Sequence, residues 1–340
     1  MLAIVAHHYV VNSGLMAEIN KSGPMAFNSL FLLLYGCWGK VGINCFVLIT
    51  GYFMCQSNIT VKKFLKLVLE WMFYKYVILA IFTLTGYQTF TVKEMIKSLI
   101  PFRTLTDGFT SCYIVFFLFI PFLNLLIHAM NEKQHRWLLI LSLSVFSVLA
   151  SIPFMYVGSS YVFWFMNLYL VSSYTRLYPI PLFENTRFWG WMSLLAIACS
   201  YASVIAMAWM KDTFGFSLGY YFFLADSNKI TALAVAISFF LFFKNWKLKY
   251  NPIINTIAAS TFGVLCIHAH SDTMRQWLWK DICNNVGFFT SPYLVLHAVG
   301  VVLAVFAICT AIDQLRIRFV ERPFFSFYDK TIAPKIIQRN

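Results

Sequence analysis

Met1-Leu2-Ala3-Ile4-Val5-Ala6-His7-His8-Tyr9-Val10-Val11 is apolar apart from its histidine pair, and apolar segments of this kind recur along the whole chain. A hydrocarbon core of about 30 Å takes roughly 20 apolar helical residues to cross. By that ruler ten spans emerge, at 1–11, 41–55, 65–84, 112–130, 137–155, 161–177, 188–210, 230–243, 253–270 and 294–317. The expected fold is therefore all-α, a polytopic transmembrane bundle of about ten helices. Eleven residues of helix reach only about 17 Å, so the first span is expected to be truncated. Ionisable groups at membrane depth are costly and usually functional, which singles out the histidines at once.

Composition supports the bilayer. Of the 340 residues, 60% are hydrophobic, 19% aromatic and 11% charged, against roughly 45–50% apolar and about 25% charged in soluble domains. The net charge of +13 forms no single stripe and no RNA-binding signature, so nucleic acid is not an expected partner. The eight cysteines lie singly without CxxC spacing, and neither disulfides nor a metal centre are expected. The opening stretch lacks the basic n-region and small-x-small site of a signal peptide.

Two further segments read as interfacial. Residues 27–38 are apolar and aromatic between Ser22-Gly23-Pro24 and Gly39-Lys40-Val41-Gly42, and 91–99 carry Lys93, Glu94 and Lys97 on a polar side. With the N-terminus in the cytosol, one set of loops and the tail carry sixteen Lys and Arg, from Lys62, Lys63 and Lys66 to Lys335 and Arg339. The opposite loops carry nine, Lys40, Arg103 and Arg275 among them, and Lys75 is left inside the third span. The positive-inside rule puts both termini in the cytosol. No internal repeat is evident, which weakens a secondary-transporter reading.

An imidazole facing a wet cavity can act as a general base for a hydroxyl. His7 and His8 lie about 100° apart around a helix, so only one can face such a cavity squarely. In Gly39-Lys40-Val41-Gly42-Ile43-Asn44-Cys45-Phe46-Val47-Leu48-Ile49-Thr50-Gly51-Tyr52-Phe53-Met54, Gly42 and Gly51 permit close helix approach, and Asn44 and Tyr52 bring hydrogen-bonding groups into the span. Tyr, Trp and Asn at the density of Tyr161–Tyr174, including Trp164, Asn167 and Tyr169, either line a sugar-receiving cavity or simply pack. His268 and His270 in a helix lie about 200° apart, which argues against metal. Lys66 and Glu70 (i,i+4) and Asp313 and Arg316 (i,i+3) can pair on one helix face.

These stretches together resemble the acyltransferase-3 family of integral membrane acyltransferases. Residues 39–54 are similar to its Gly-Val-x-x-Phe-Phe-x-Leu-Ser-Gly-Tyr/Phe pattern, and Ile4-Val5-Ala6-His7-His8-Tyr9 to its first helix. Ser111-Cys112-Tyr113 with Pro121-Phe122-Leu123-Asn124 is similar to its fourth span, 161–174 to its sixth and Gly263-Val264-Leu265-Cys266-Ile267-His268 to its ninth. The resemblance covers essentially the whole chain to Tyr328 and divides it into a membrane domain at 1–320 and a short basic cytosolic tail at 321–340.

The resemblance implies a membrane O-acyltransferase that moves an acyl group, most simply acetyl, from cytosolic acyl-CoA to a hydroxyl of a cell-envelope saccharide or glycolipid in a bacterial plasma membrane. It maps the family histidine to His8, as base or acyl relay. The arginine partner of that histidine falls three residues before Met1. Lys62, Lys63 and Lys66 match a basic loop thought to hold the donor's phosphates, with lysine charge in place of the guanidinium fork; plain topology explains them equally well. The expected acceptor cavity comprises Asn44, Tyr52, Tyr113, Trp164, Asn167, Tyr169 and His268, with Glu70 and Asp313 in support. Acyl-CoA is a co-substrate, and no resident cofactor is expected. The rival readings are a transporter or exporter of a saccharide or small acyl compound, and a noncatalytic membrane protein.

Overall fold

The computed structural model describes residues 1–89, 91–100 and 108–331, and Arg103, Lys335 and Arg339 of the basic loops lie outside them. Among the described residues the fold is all-helical, with no strand. The α-helices are α1 (Leu2–Val11), α2 (Leu15–Ser22), α3 (Phe27–Gly36), α4 (Gly39–Met54), α5 (Val61–Leu84), α6 (Val92–Leu99), α7 (Phe109–Ala129) and α8 (Glu132–Leu143). They continue as α9 (Tyr161–Leu177), α10 (Thr186–Phe214), α11 (Ile230–Asn245), α12 (Pro252–Ala259), α13 (Thr261–His268), α14 (Asp272–Arg275), α15 (Leu294–Arg316) and α16 (Arg322–Thr331).

Among the described residues, five helical stretches are long and apolar enough to cross a membrane: Phe27–Met54, Val61–Leu84, Phe109–Ala129, Thr186–Phe214 and Leu294–Thr331. A sixth is reached if Pro252–His268 and Asp272–Phe288, bent by 95°, count as one passage. Helical structure stands at each of the ten expected positions, but α1 and α11 are short, and α8 gives way after Leu143 to a π turn and a 3₁₀ turn before Pro153.

The segment 27–38, expected at the interface, belongs instead to the core. α3 and α4 form one 28-residue apolar stretch, with Leu32 and Leu33 fully buried. The reason is a seam of small residues against α1. A Cβ on Gly36 would meet Val10 at 2.8 Å, one on Gly39 would meet the ring of His7, and one on Gly42 would meet Ile4 at 2.7 Å. The partners step 36, 39, 42 against 10, 7, 4, an antiparallel register three residues apart on both helices, and missing side chains allow such close approach. Held in this way, the short α1 buries Val5, Tyr9 and Val10 completely. Gly51 plays the same part further down α4, where a Cβ would meet Ser172 and the backbone of Tyr169 on α9.

At the expected 320/321 boundary the chain stays helical. α15 continues through a π turn (Ile317–Glu321) into α16, which buries Phe325 and Tyr328 and pairs Asp329 with Lys62 at 2.6 Å. α6, by contrast, is exposed and amphipathic, opened by a Thr91/Glu94 capping box.

Candidate functional site

Two histidines 260 positions apart meet at the end of α13. His8 Nδ1 lies 3.0 Å from His268 Nε2, and His268 Nδ1 lies 2.6 Å from the Val264 carbonyl one turn back. A carbonyl oxygen only accepts, so His268 donates from Nδ1, and in the neutral ring its Nε2 carries a lone pair. That lone pair makes His8 Nδ1 the donor across the contact. The unprotonated nitrogen of His8 is then Nε2, which makes no hydrogen bond among the described residues. Trp279, fully buried, stands edge-on to His268 at 6.3 Å and fixes the ring from behind. His7 turns elsewhere, with Nδ1 2.6 Å from the Gly36 carbonyl.

His8 lines a cavity of about 580 Å³ together with Lys40, Lys75, Ser111, Tyr161, His270 and Arg275. This volume falls within the range of about 300–1,000 Å³ of small-ligand sites. Lys40 donates to the Tyr161 hydroxyl and lies 3.7 Å from Asp226. Lys75 donates to the Ile100 carbonyl and sits 5.2 Å from the Trp71 ring centroid. Arg275, on the bend after α13, holds Asp272 through Nη1 at 2.8 Å. A second, largely apolar cavity of about 770 Å³ shares Ile4, Phe109 and Leu265 as a common wall.

The residues expected to form the acceptor cavity are not brought together in either space. Asn44 is engaged at both ends: its amide donates to the Ser227 carbonyl at 2.7 Å and accepts from Trp164 Nε1 at 3.1 Å. Asn167 donates to the Phe163 carbonyl within its own helix. Tyr113 bonds Thr50 at 2.8 Å, and Tyr169 donates to Asn124. Tyr52 lies at the far end of α4, where Arg176 donates to its hydroxyl at 2.8 Å and covers its ring. These side chains tie α4, α7 and α9 to one another. Of the expected set, His268 alone touches His8.

Each expected donor cation has a partner within the chain. Lys62 pairs with Asp329, Lys63 bonds Ser57 Oγ and the Asn58 carbonyl, and Lys66 pairs with Glu321 at 2.7 Å. The expected Lys66–Glu70 pair is thus replaced. Glu70 turns to Arg316, with Oε1 3.1 Å from Nη2, because Arg316 is buried there with Asp313 and Glu321, each at 2.8 Å. The Asp313–Arg316 pair forms as expected, and Tyr74 donates to Asp313 at 2.7 Å. This cluster closes the bundle beneath α13. Lys66 and Lys75 stand nine residues apart on α5, about 13 Å of helix, so the cationic loop and the histidine site are at different depths.

Sequence reasoning passed over Lys40, Tyr161, His270 and Arg275 as site residues. The available signal was Lys75, a charge left inside an apolar span. Comparison of the chain with family models, curated proteins and solved structures found no match.

Proposed function

We propose that the chain is a membrane-bound O-acyltransferase in which His8 activates the acceptor hydroxyl. The observation that carries this reading is the Val264–His268–His8 relay, which leaves the Nε2 lone pair of His8 at a cavity wall. A base must be unprotonated on the nitrogen that meets the substrate, and a hydrogen bond to the other nitrogen sets that tautomer. The acyltransferase-3 resemblance of residues 4–9, 39–54 and 263–268 supplies the reaction class.

In this mechanism His8 Nε2 takes the proton of a saccharide hydroxyl as its oxygen attacks the thioester carbonyl of acyl-CoA. The C–S bond breaks and the new C–O bond remains as the ester. The proton on His8 passes to the departing thiolate, so that ester and CoA thiol leave and the imidazole is neutral again. Acetyl is the simplest acyl group, and a cell-envelope glycan is the acceptor class. The accompanying topology is a multi-pass protein of ten membrane passages in a bacterial plasma membrane, with both termini cytosolic.

The test is mass spectrometry of surface glycans from cells carrying the parent protein, His8→Ala or no protein. The expected result is an acyl mass present with the parent and missing in the other two. An unchanged acyl mass with a well-folded His8→Ala protein sinks the proposal.

A further inference from the structure

Cations of three separate elements converge on the histidine cavity. Lys40 lies within the apolar stretch Phe27–Met54 and Lys75 within Val61–Leu84, and both line the same space as Arg275 and His270. Charges at membrane depth are costly and by default mark function. Among the described residues, no carboxylate lines this cavity. Asp226 and Asp272 back Lys40 and Arg275, but their side chains are 53% and 96% exposed, so water screens them strongly. Arg275 Nε is buried with no hydrogen-bond partner. Ser111 and Tyr161 add hydroxyls to the wall.

We propose that this cavity binds the saccharide acceptor through an anionic group, phosphate or carboxylate, seated on Lys40, Lys75 and Arg275 beside His8. The assignment to the acceptor rests on the acyl-transfer reading. The anion-binding chemistry itself follows from the lining. Charge-assisted hydrogen bonds are about twice as strong as neutral ones, so the anionic group is the anchor, and it leaves the sugar hydroxyls free to approach Nε2.

The test is equilibrium binding to the purified full chain in nanodiscs, with glucuronate, glucose 1-phosphate, neutral glucose and coenzyme A as probes. The expected result is that glucuronate or glucose 1-phosphate binds at least about tenfold more tightly than glucose, a difference of about 1.4 kcal/mol, and weakens as salt rises. Lys75→Gln and Arg275→Gln should each weaken the anionic sugar about tenfold, whereas His8→Ala, which removes only a contact to a neutral hydroxyl, should weaken it less than either. Equal binding of glucose and the anionic sugars, salt-independent binding, or binding of coenzyme A alone would overturn the proposal. Should either variant misfold, the salt and probe comparisons on the parent protein still decide. Binding retained in His8→Ala without glycan acylation separates this site from the catalytic reading. Conversely, anion binding by a parent protein that transfers no acyl group would remove the transferase and leave the site.

Discussion

Replacing His268 with phenylalanine tests the histidine relay directly. Phenylalanine fills a comparable space in a fully buried position but offers His8 Nδ1 no acceptor. In the parent protein the alternative neutral tautomer of His8 would set two lone pairs against each other across 3.0 Å. That arrangement forfeits a hydrogen bond worth about 0.5–1.5 kcal/mol and leaves buried polar atoms unsatisfied at about 1–3 kcal/mol. At about 1.4 kcal/mol per decade, the Nδ1–H tautomer should lead by more than tenfold, toward a thousandfold. Nitrogen-15 NMR of histidine-labelled protein, with His8 assigned by its loss in His8→Ala, reads this ratio. The expected parent spectrum has an unprotonated Nε2 on His8, and His268→Phe should lose that bias. His268→Gln, whose amide oxygen can still accept, should restore part of it. If the enzyme reading holds, kcat should fall more than KM rises. A protonated Nε2 on His8 in the parent, or an unchanged tautomer in His268→Phe, refutes the reasoning.

Arg316→Met should destabilise the fold by about 3–5 kcal/mol, since it leaves Glu70, Asp313 and Glu321 around a site whose guanidinium is only 5% exposed; denaturant-induced unfolding in micelles checks this, and a loss below about 1 kcal/mol contradicts it. Asn44→Leu strips the Ser227 carbonyl and Trp164 Nε1 of their partners and should cost about 1–3 kcal/mol, measured in the same way. Gly39→Ala drives a Cβ into the ring of His7 and should lower stability by about 1–3 kcal/mol; a neutral effect would mean that α1 can shift freely. At α6, hydrogen bonds from the Thr91 backbone N–H and hydroxyl hold the Glu94 carboxyl below its ordinary pKa. Its capping contribution is complete above about pH 4.3 and is lost as pH falls through the lowered value, so amide protection at 92–95, relative to the unfolded chain at the same pH, should fall in acid, and pH-independent protection there would contradict the cap.

The helical character and the placement of the apolar segments were legible because, with so few charges, almost every stretch of 20 residues declares itself. Continuity was less legible. Gly39-Lys40-Val41-Gly42 reads as a boundary, yet its two glycines serve α1, and a seam between two helices leaves no mark in the period of either one. The aromatic and amide residues were expected to line a cavity because of their type, and type alone does not say which atoms remain available. Asn44 spends both ends of its amide on the protein. His8 and His268 each stood out singly, but nothing local joins positions 260 apart. Lys40 and Arg275 were counted as loop charges because a topology rule tallies cations by segment and takes no account of where they point.

The site is held from both ends of the chain by the same device. α1 reaches its position because Gly36, Gly39 and Gly42 have no side chains, and α13 reaches its own because Gly263 has none where Asp313 lies against it. Asp313 is in turn gripped by Arg316 and Tyr74. From Gly263 to His268 is five residues, about 7.5 Å of helix, so the buried ion cluster sets the height at which His268 meets His8. A donor–acceptor distance of 3.0 Å leaves little slack, because a hydrogen bond weakens steeply once distance or angle departs from its preferred range. The charges around Arg316 therefore need not touch a ligand to matter for the histidine site: their geometry is part of what sets which nitrogen of His8 carries the proton.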